Sequence, residues 1–213
     1  MHIEILVEDS SGKKALEALV PKIIGEHNTY RLISYKGIGH IPKNMKGVAD
    51  PRKRILLANL PRLLKGYGKT YSGAGYKVTV VVVCDLDRKN LRDFLADLNQ
   101  ILEGCDPKPA TRFCIAIEEG EAWFLGDPAA IKSAYPNADA HALSAYVNDS
   151  ICGTWERLAD AVYPGGSKAL ARKAWHVIGA EKTRWAEDIA PRMNVERNQS
   201  PSFCFFRDQL RSL

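Results

Sequence analysis

The sequence predicts an α/β protein: a mostly parallel sheet with helices on both faces, continued by a helical C-terminal extension. Three observations predict it. Strand-length apolar runs alternate with helical periodicity in the order β-α-β-α-β-α-β through residue 119. The strand runs, above all VTVVVVC at 78–84, lack polar alternation, as strands buried on both faces do. From about residue 127 onward only helical segments follow.

The first run, HIEILVE (2–8), leads into DSSGKKALEALVPKIIG. There Ser10 or Ser11 can cap a helix carrying Ala15, Leu16, Leu19, Ile23 and Ile24 at helical spacing. TYRLISYKG is the second strand, and the Gly-, Pro- and Lys-rich KGIGHIPKNMKGVADP after it reads as a loop. RKRILLANLPRLLKGYG is helical, with Pro61 kinking or dividing it. Strand 78–84 follows, then DLDR, then the helix NLRDFLADLNQILEG. After the turn CDPKPAT, RFCIAIEE is the fourth strand and leads into GEAWFLGD. The helical segments beyond are DPAAIKSAYP, TWERLADAVYP, SKALARKAWHVIG, EKTRWAEDIAPRM and SFCFFRDQLRSL, the last capped by Ser200. The expected organisation is an α/β domain over 1–126 and a helical extension over 127–213, packed together because no long linker separates them.

Composition narrows the class. A chain of 213 residues, 46% hydrophobic and 26% charged, reads as an ordinary globular protein able to bury a core. No apolar stretch approaches the ~20 residues of a membrane helix, and MHIEILVEDSS lacks the basic and apolar regions of a signal peptide. A cytoplasmic protein without a membrane partner is expected. The five cysteines, at 84, 105, 114, 152 and 204, form no C-x-x-C pair and read as reduced thiols. A net charge of +5 is compatible with a polyanionic partner, and the sequence is compatible with a homo-oligomer.

In a parallel α/β sheet, ligands gather beyond the carboxyl ends of the strands. Glu8 follows the first strand, Asp85 and Asp87 the third, and Glu118, Glu119 and Glu121 the fourth. Crowded carboxylates repel unless a cation holds them, and Mg²⁺ or Mn²⁺ suits hard oxygen ligands. Each acid also has a plainer reading: Asp87 as the cap of the helix starting near Asn90, Glu8 beside the positive end of the first helix. Other uses of these segments are disfavoured. EDSSGKK lacks both G-x-G-x-x-G and the P-loop spacing, and a haloacid-dehalogenase-type aspartate belongs on a first strand, not a third. If Gly120 starts a helix, Glu118 and Glu121 share a side, which is the arrangement favoured here; if the segment is strand and turn, Glu119 and Glu121 do. Trp123 reads as a core anchor. Lys43, Lys46, Arg52, Lys53 and Arg54 form one basic cluster, and Lys168, Arg172, Lys173, Lys182 and Arg184 another, which suits a phosphate backbone beside an acidic cleft.

A glutamate after the first strand and a D-x-D after a later apolar strand resemble the TOPRIM catalytic domain of topoisomerases, primases and certain nucleases. More closely, VEDSSGKKAL, VVVVCDLDR, IAIEEGEAWFLGD and EKTRWAEDIAPRM followed by NQSPSF resemble a bacterial TOPRIM-like family of unknown function. Its genes often lie beside an ATPase gene in defence or mobile loci. The resemblance implies a Mg²⁺-dependent nuclease acting on DNA or RNA with an ATPase partner. In it Glu8 is an acid/base or ligand, and Asp85 and Asp87 bind metal. At least one of Glu118, Glu119 and Glu121 faces the same cleft. Lys182 stands out because it falls in the family-like EKTRWA stretch. The rival expectation, on the same fold, is a catalytically silent adaptor that holds nucleic acid or the ATPase.

Overall fold

Strand-length runs at 2–7, 29–34, 78–85 and 111–116 build one four-stranded sheet, and the segments between them coil into helices. The computed structural model describes residues 1–42 and 53–213. In chain order the elements are β1 (His2–Val7), α1 (Ser10–Ile24), β2 (Thr29–Ser34), α2 (Leu56–Tyr71), β3 (Val78–Asp85), α3 (Leu91–Glu103) and β4 (Thr111–Ala116). The C-terminal part adds α4 (Glu121–Leu125), α5 (Pro128–Ala134), α6 (Ala140–Ser144), α7 (Thr154–Val162), α8 (Gly166–Leu170), α9 (Trp175–Ile189) and α10 (Pro201–Arg211). The sheet order is β2-β1-β3-β4 and every pairing is parallel.

The two-residue side-chain period divides the core in two. Ile3, Ile5, Val7, Val81, Val83 and Cys114 face α1 and the C-terminal helices. Leu6, Val80, Val82, Cys84, Phe113 and Ile115 face α2 and α3. Trp123, Leu158, Trp185 and Phe203 belong to the first of these cores, so residues beyond 127 bury themselves with the sheet rather than apart from it. Trp123 is the anchor the sequence suggests: it is buried, stacks on Phe206 at 4.9 Å, and its indole N–H donates to Ser202 Oγ at 3.0 Å.

Local signals resolve into particular caps. Asp9, not Ser10 or Ser11, caps α1; its carboxylate accepts from the Gly12 N–H at 2.7 Å and the Ser11 hydroxyl at 2.8 Å. Asn90, not Asp87, caps α3, accepting from the N–H groups of Arg92 and Asp93. Ser200 caps α10 as expected, through the Phe203 N–H. Pro61 does not divide α2. It removes one helical bond, while Leu56, Leu57, Leu60 and Leu64 hold the helix against the sheet on both sides of it.

Connectivity sets the site's place. The chain leaves β1 for β2 on one side and then returns past β1 to β3 on the other, so the strand order reverses between β1 and β3. That reversal opens a crevice at their carboxyl ends. Among the described residues, no helix is long and apolar enough to cross a membrane.

Candidate acidic site at the carboxyl edge of the sheet

Glu8 leaves β1 and Asp85 ends β3, so the two acids flank the crevice. The Asp85 N–H donates to Glu8 Oε2 at 3.1 Å, which ties one strand end to the other. Between them lies a cavity of ≈ 50 Å³ with an apolar wall that includes Val7, Leu16, Val83 and Phe124. Its polar lining includes Glu8, Asp9, Ser11, Asp85, Glu121 and Lys182. Gly12 forms part of the wall where the first turn of α1 passes close to β1. A Cβ there would lie 2.8 Å from Val7 Cγ2 and 3.2 Å from Asp9 Oδ1, so the approach requires glycine.

The fourth strand end delivers its acids in different directions. Gly120 ends the turn and α4 begins at Glu121, which is almost fully buried. From α9, Lys182 reaches in and places Nζ 3.1 Å from Glu121 Oε2 and 3.4 Å from Glu119 Oε2. Glu118 has φ +60°, and its carboxylate turns instead to the start of α7. There it accepts from the N–H groups of Cys152 (3.0 Å), Gly153 (3.0 Å) and Thr154 (2.9 Å), and from the Thr154 hydroxyl. It therefore caps α7, which has no capping side chain of its own.

Asp87 also departs from the cavity. With φ +52° it donates its N–H to the Glu118 carbonyl at 2.8 Å, and its carboxylate pairs with Lys89 Nζ at 2.7 Å. It lines a neighbouring surface hollow together with Glu119 and Glu156. Of the acids singled out in the sequence, the structure thus brings Glu8, Asp85 and Glu121 together and sends Asp87 and Glu118 elsewhere. A helix does start at Gly120, yet Glu119 and Glu121 are the acids that share a partner. The left-handed backbone at Glu118 removes that side chain from the helical stripe which spacing alone assigns to it.

The basic residues divide similarly. Lys43, Lys46 and Arg52 lie outside the described residues, and Lys53 is exposed just before α2. Lys182 sits inside the acidic cavity, with its ammonium held between two carboxylates, rather than on an open basic face.

Electrostatically the cavity is short of positive charge. Burial, with Asp9 and Asp87 adding repulsion, pushes the Glu8 carboxyl up to about 7 against the lowering effect of the Asp85 N–H. Burial and the Glu8 charge hold Asp85 well above the ordinary carboxylate range. Glu119 rises to about 7, chiefly through burial. Burial alone would lower the Lys182 ammonium, but Glu121, Glu119 and Asp85 hold it above the usual lysine value. Carboxyls and an ammonium shifted upward together mark carboxylates in excess over the cation among them.

Among the described residues, no three His, Cys, Asp or Glu side chains are grouped as a ready ligand set. Glu8 and Asp85 nonetheless offer two hard oxygen donors on adjacent strand ends, with charge to spare. Mg²⁺ typically takes one or two carboxylates and completes its shell with water and substrate phosphate, so the donor set fits such an ion. A carboxyl that titrates near neutrality is also suited to accept or deliver a proton. Gly12 belongs to this site although the sequence alone does not select it, because a lone glycine after a strand has many uses; Glu119, one of three adjacent candidates, reaches it only through Lys182.

No curated protein and no solved structure matches the chain. The model of a family described as a domain of unknown function, DUF4276, matches residues 7–211, nearly the full length of the architecture above, and the chain belongs to that family.

Proposed function

We propose that this protein is a Mg²⁺- or Mn²⁺-dependent phosphodiesterase acting on nucleic acid, a TOPRIM-like nuclease that works with an ATPase partner in defence or mobile-element loci. The observation that carries the reading is the meeting of Glu8 and Asp85 at the switch point between β1 and β3, in a cavity with more carboxylate than cationic charge. Glu8 and Asp85 are the residues that would hold the ion. A divalent ion there supplies charge neutralisation for the scissile phosphate and its leaving oxygen. The remaining work falls to the chain. Glu8 either completes the ion's shell or, where it does not ligate, accepts or returns a proton, and Lys182 pairs with Glu121 at the cavity and Glu119 beside it, so that they do not repel substrate at full strength. The involvement of an ATPase and of defence loci rests on the family resemblance alone.

The second reading, a catalytically silent adaptor, is favoured by one feature: the Lys182 ammonium already provides a cation inside the acidic cluster. Purified protein with and without Mg²⁺ or Mn²⁺, on plasmid DNA, single-stranded DNA and RNA, separates the two. The nuclease reading expects metal-dependent cleavage that is lost in Glu8→Gln and in Asp85→Asn. Binding without cleavage under every metal condition, with no metal-induced thermal stabilisation, overturns it in favour of the adaptor.

A further inference from the structure

We infer that Trp175, at the start of α9, is a base-stacking platform for single-stranded nucleic acid beside the acidic cavity. This deepens the nuclease reading and rests on it for the neighbouring chemistry. Trp175 is 83% exposed, the most exposed of the large hydrophobic side chains among the described residues, whereas Trp123 and Trp185 are buried. Such exposure gives up the burial that ordinarily places tryptophan. Among the described residues its aromatic neighbour is His176, at a T-shaped 6.0 Å, and the exposed indole leaves ring surface for a ligand.

Its position follows from how α9 lies on the fold. Near the C-terminal end of α1, Lys22 Nζ donates to the carbonyls of Pro191 (2.7 Å) and Met193 (3.0 Å), just beyond the end of α9. Lys182, inside α9, reaches Glu121 and Glu119 at the carboxyl edge of the sheet. The helix therefore runs from outside the carboxyl edge back toward the amino edge. Trp175 precedes Lys182 by two turns, about 10 Å at 1.5 Å per residue, and two turns return it to the same helical stripe. Along that stripe Ile178 packs against the core and Trp185 and Ile189 are buried in it, while Trp175, at the start of the helix, is exposed.

The surroundings choose the ligand. Arg172, Lys173 and His176, within three residues of Trp175 in the chain, and Lys168 on α8 are all exposed, and residues 161–180 contain no aspartate or glutamate. An exposed indole among cations is the arrangement by which single-stranded nucleic acid is held without sequence preference: bases stack on the ring and phosphates meet the charges. Duplex DNA keeps its bases stacked internally and does not offer a face to the indole.

The test measures binding of fluorescein-labelled dT20 and of a 20-base-pair duplex by anisotropy in EDTA, so that cleavage does not interfere, together with intrinsic tryptophan emission. Wild-type emission should be quenched by dT20, and Trp175→Phe should lose that quenching while keeping most of the affinity. Trp175→Ala should bind dT20 about 5- to 150-fold more weakly, the loss of one stacked base, and leave duplex binding unchanged. Its melting temperature should stay at the wild-type value because the indole covers little of the fold. Equal dT20 binding by wild type and Trp175→Ala overturns the inference and leaves the nuclease reading standing, as does cleavage or binding confined to duplex. Quenching by anionic phosphatidylserine vesicles but not by dT20 overturns it in favour of a membrane-surface contact. Absence of both binding and metal-dependent cleavage on every nucleic acid overturns the two proposals together.

Discussion

Replacing Lys182 with methionine keeps the side chain's apolar stem and removes only its charge. Glu121, 4% exposed at its side chain, and Glu119 then lose the ammonium at 3.1 and 3.4 Å that neutralises them. Breaking a buried pair from one side costs about 3–5 kcal/mol. An independent bound comes from proton linkage. The orphaned Glu119, whose carboxyl burial already raises to about 7, can escape its charge by taking up a proton, at about 1.36 kcal/mol for each pH unit above an unfolded-state value of about 4.3. That limit is about 5 kcal/mol at pH 8 and only about 1 kcal/mol at pH 5. The deficit should therefore grow with pH. In the wild type, Glu8 and Glu119 have folded-state values near 7, above their unfolded values. They bind more protons folded than unfolded, so their contribution is full at low pH and is lost as pH rises toward 7. Without Lys182 this window moves further upward, in the same direction as the deficit. Thermal melts in EDTA should place Lys182→Met about 6–20 °C below wild type at pH 8, at ~2–4 °C per kcal/mol, and within a few degrees of it at pH 5. A deficit equal at both pH values would assign the loss to packing, and no deficit at pH 8 would mean that the carboxylates are solvated; either refutes the charge argument.

Saturating Mg²⁺ or Mn²⁺, at ~100 times its dissociation constant, should add about 2.7 kcal/mol and raise the melting temperature by about 5–11 °C. Asp85→Asn should abolish that rise, whereas Asp87→Ala, whose carboxylate pairs with Lys89 outside the cavity, should keep it; calorimetric melts with and without metal decide. Glu118→Ala should cost about 1–2 kcal/mol at pH 7 by uncapping α7, at the modest end for a half-exposed carboxylate. The Thr154 hydroxyl and the N–H groups of Cys152, Gly153 and Thr154, outweighing the upward push of burial, hold the Glu118 carboxyl below its ordinary value. Its contribution is thus present above the unfolded value and disappears as pH falls through the folded one, so chemical denaturation should find the Glu118→Ala deficit vanishing in acid. Gly12→Ala should destabilise by about 1–3 kcal/mol, because the new methyl meets Val7 Cγ2 at 2.8 Å, and the denaturation midpoint should fall without a change in slope.

The sequence by itself determined the sheet and its covering. Runs such as VTVVVVC satisfy burial on two faces only in a parallel sheet between helices, and strands at this spacing can be joined in parallel only through helical crossovers. Those crossovers place Glu8 and Asp85 at one edge, so half of the site was legible as soon as the strand ends were identified. Capping was partly legible. Ser200 had no competitor, but Asp9 displaced Ser10 and Ser11, and Asn90 displaced Asp87, because neighbouring Asx and Ser side chains compete for the same N–H groups within a few residues. Tertiary structure alone decided which acids converge. Left-handed φ at Asp87 and Glu118 turned two strand-end carboxylates away from the cavity, one to Lys89 and one to the start of α7, and non-glycine residues take that conformation only where surrounding contacts hold them in it. Tertiary structure also brought Lys182 from the C-terminal helices to Glu119 and Glu121. A lysine on a solvated face and a lysine buried among carboxylates look alike in sequence; they differ only in what the rest of the chain folds around them, since an ion pair of this kind is set by long-range packing and not by local spacing.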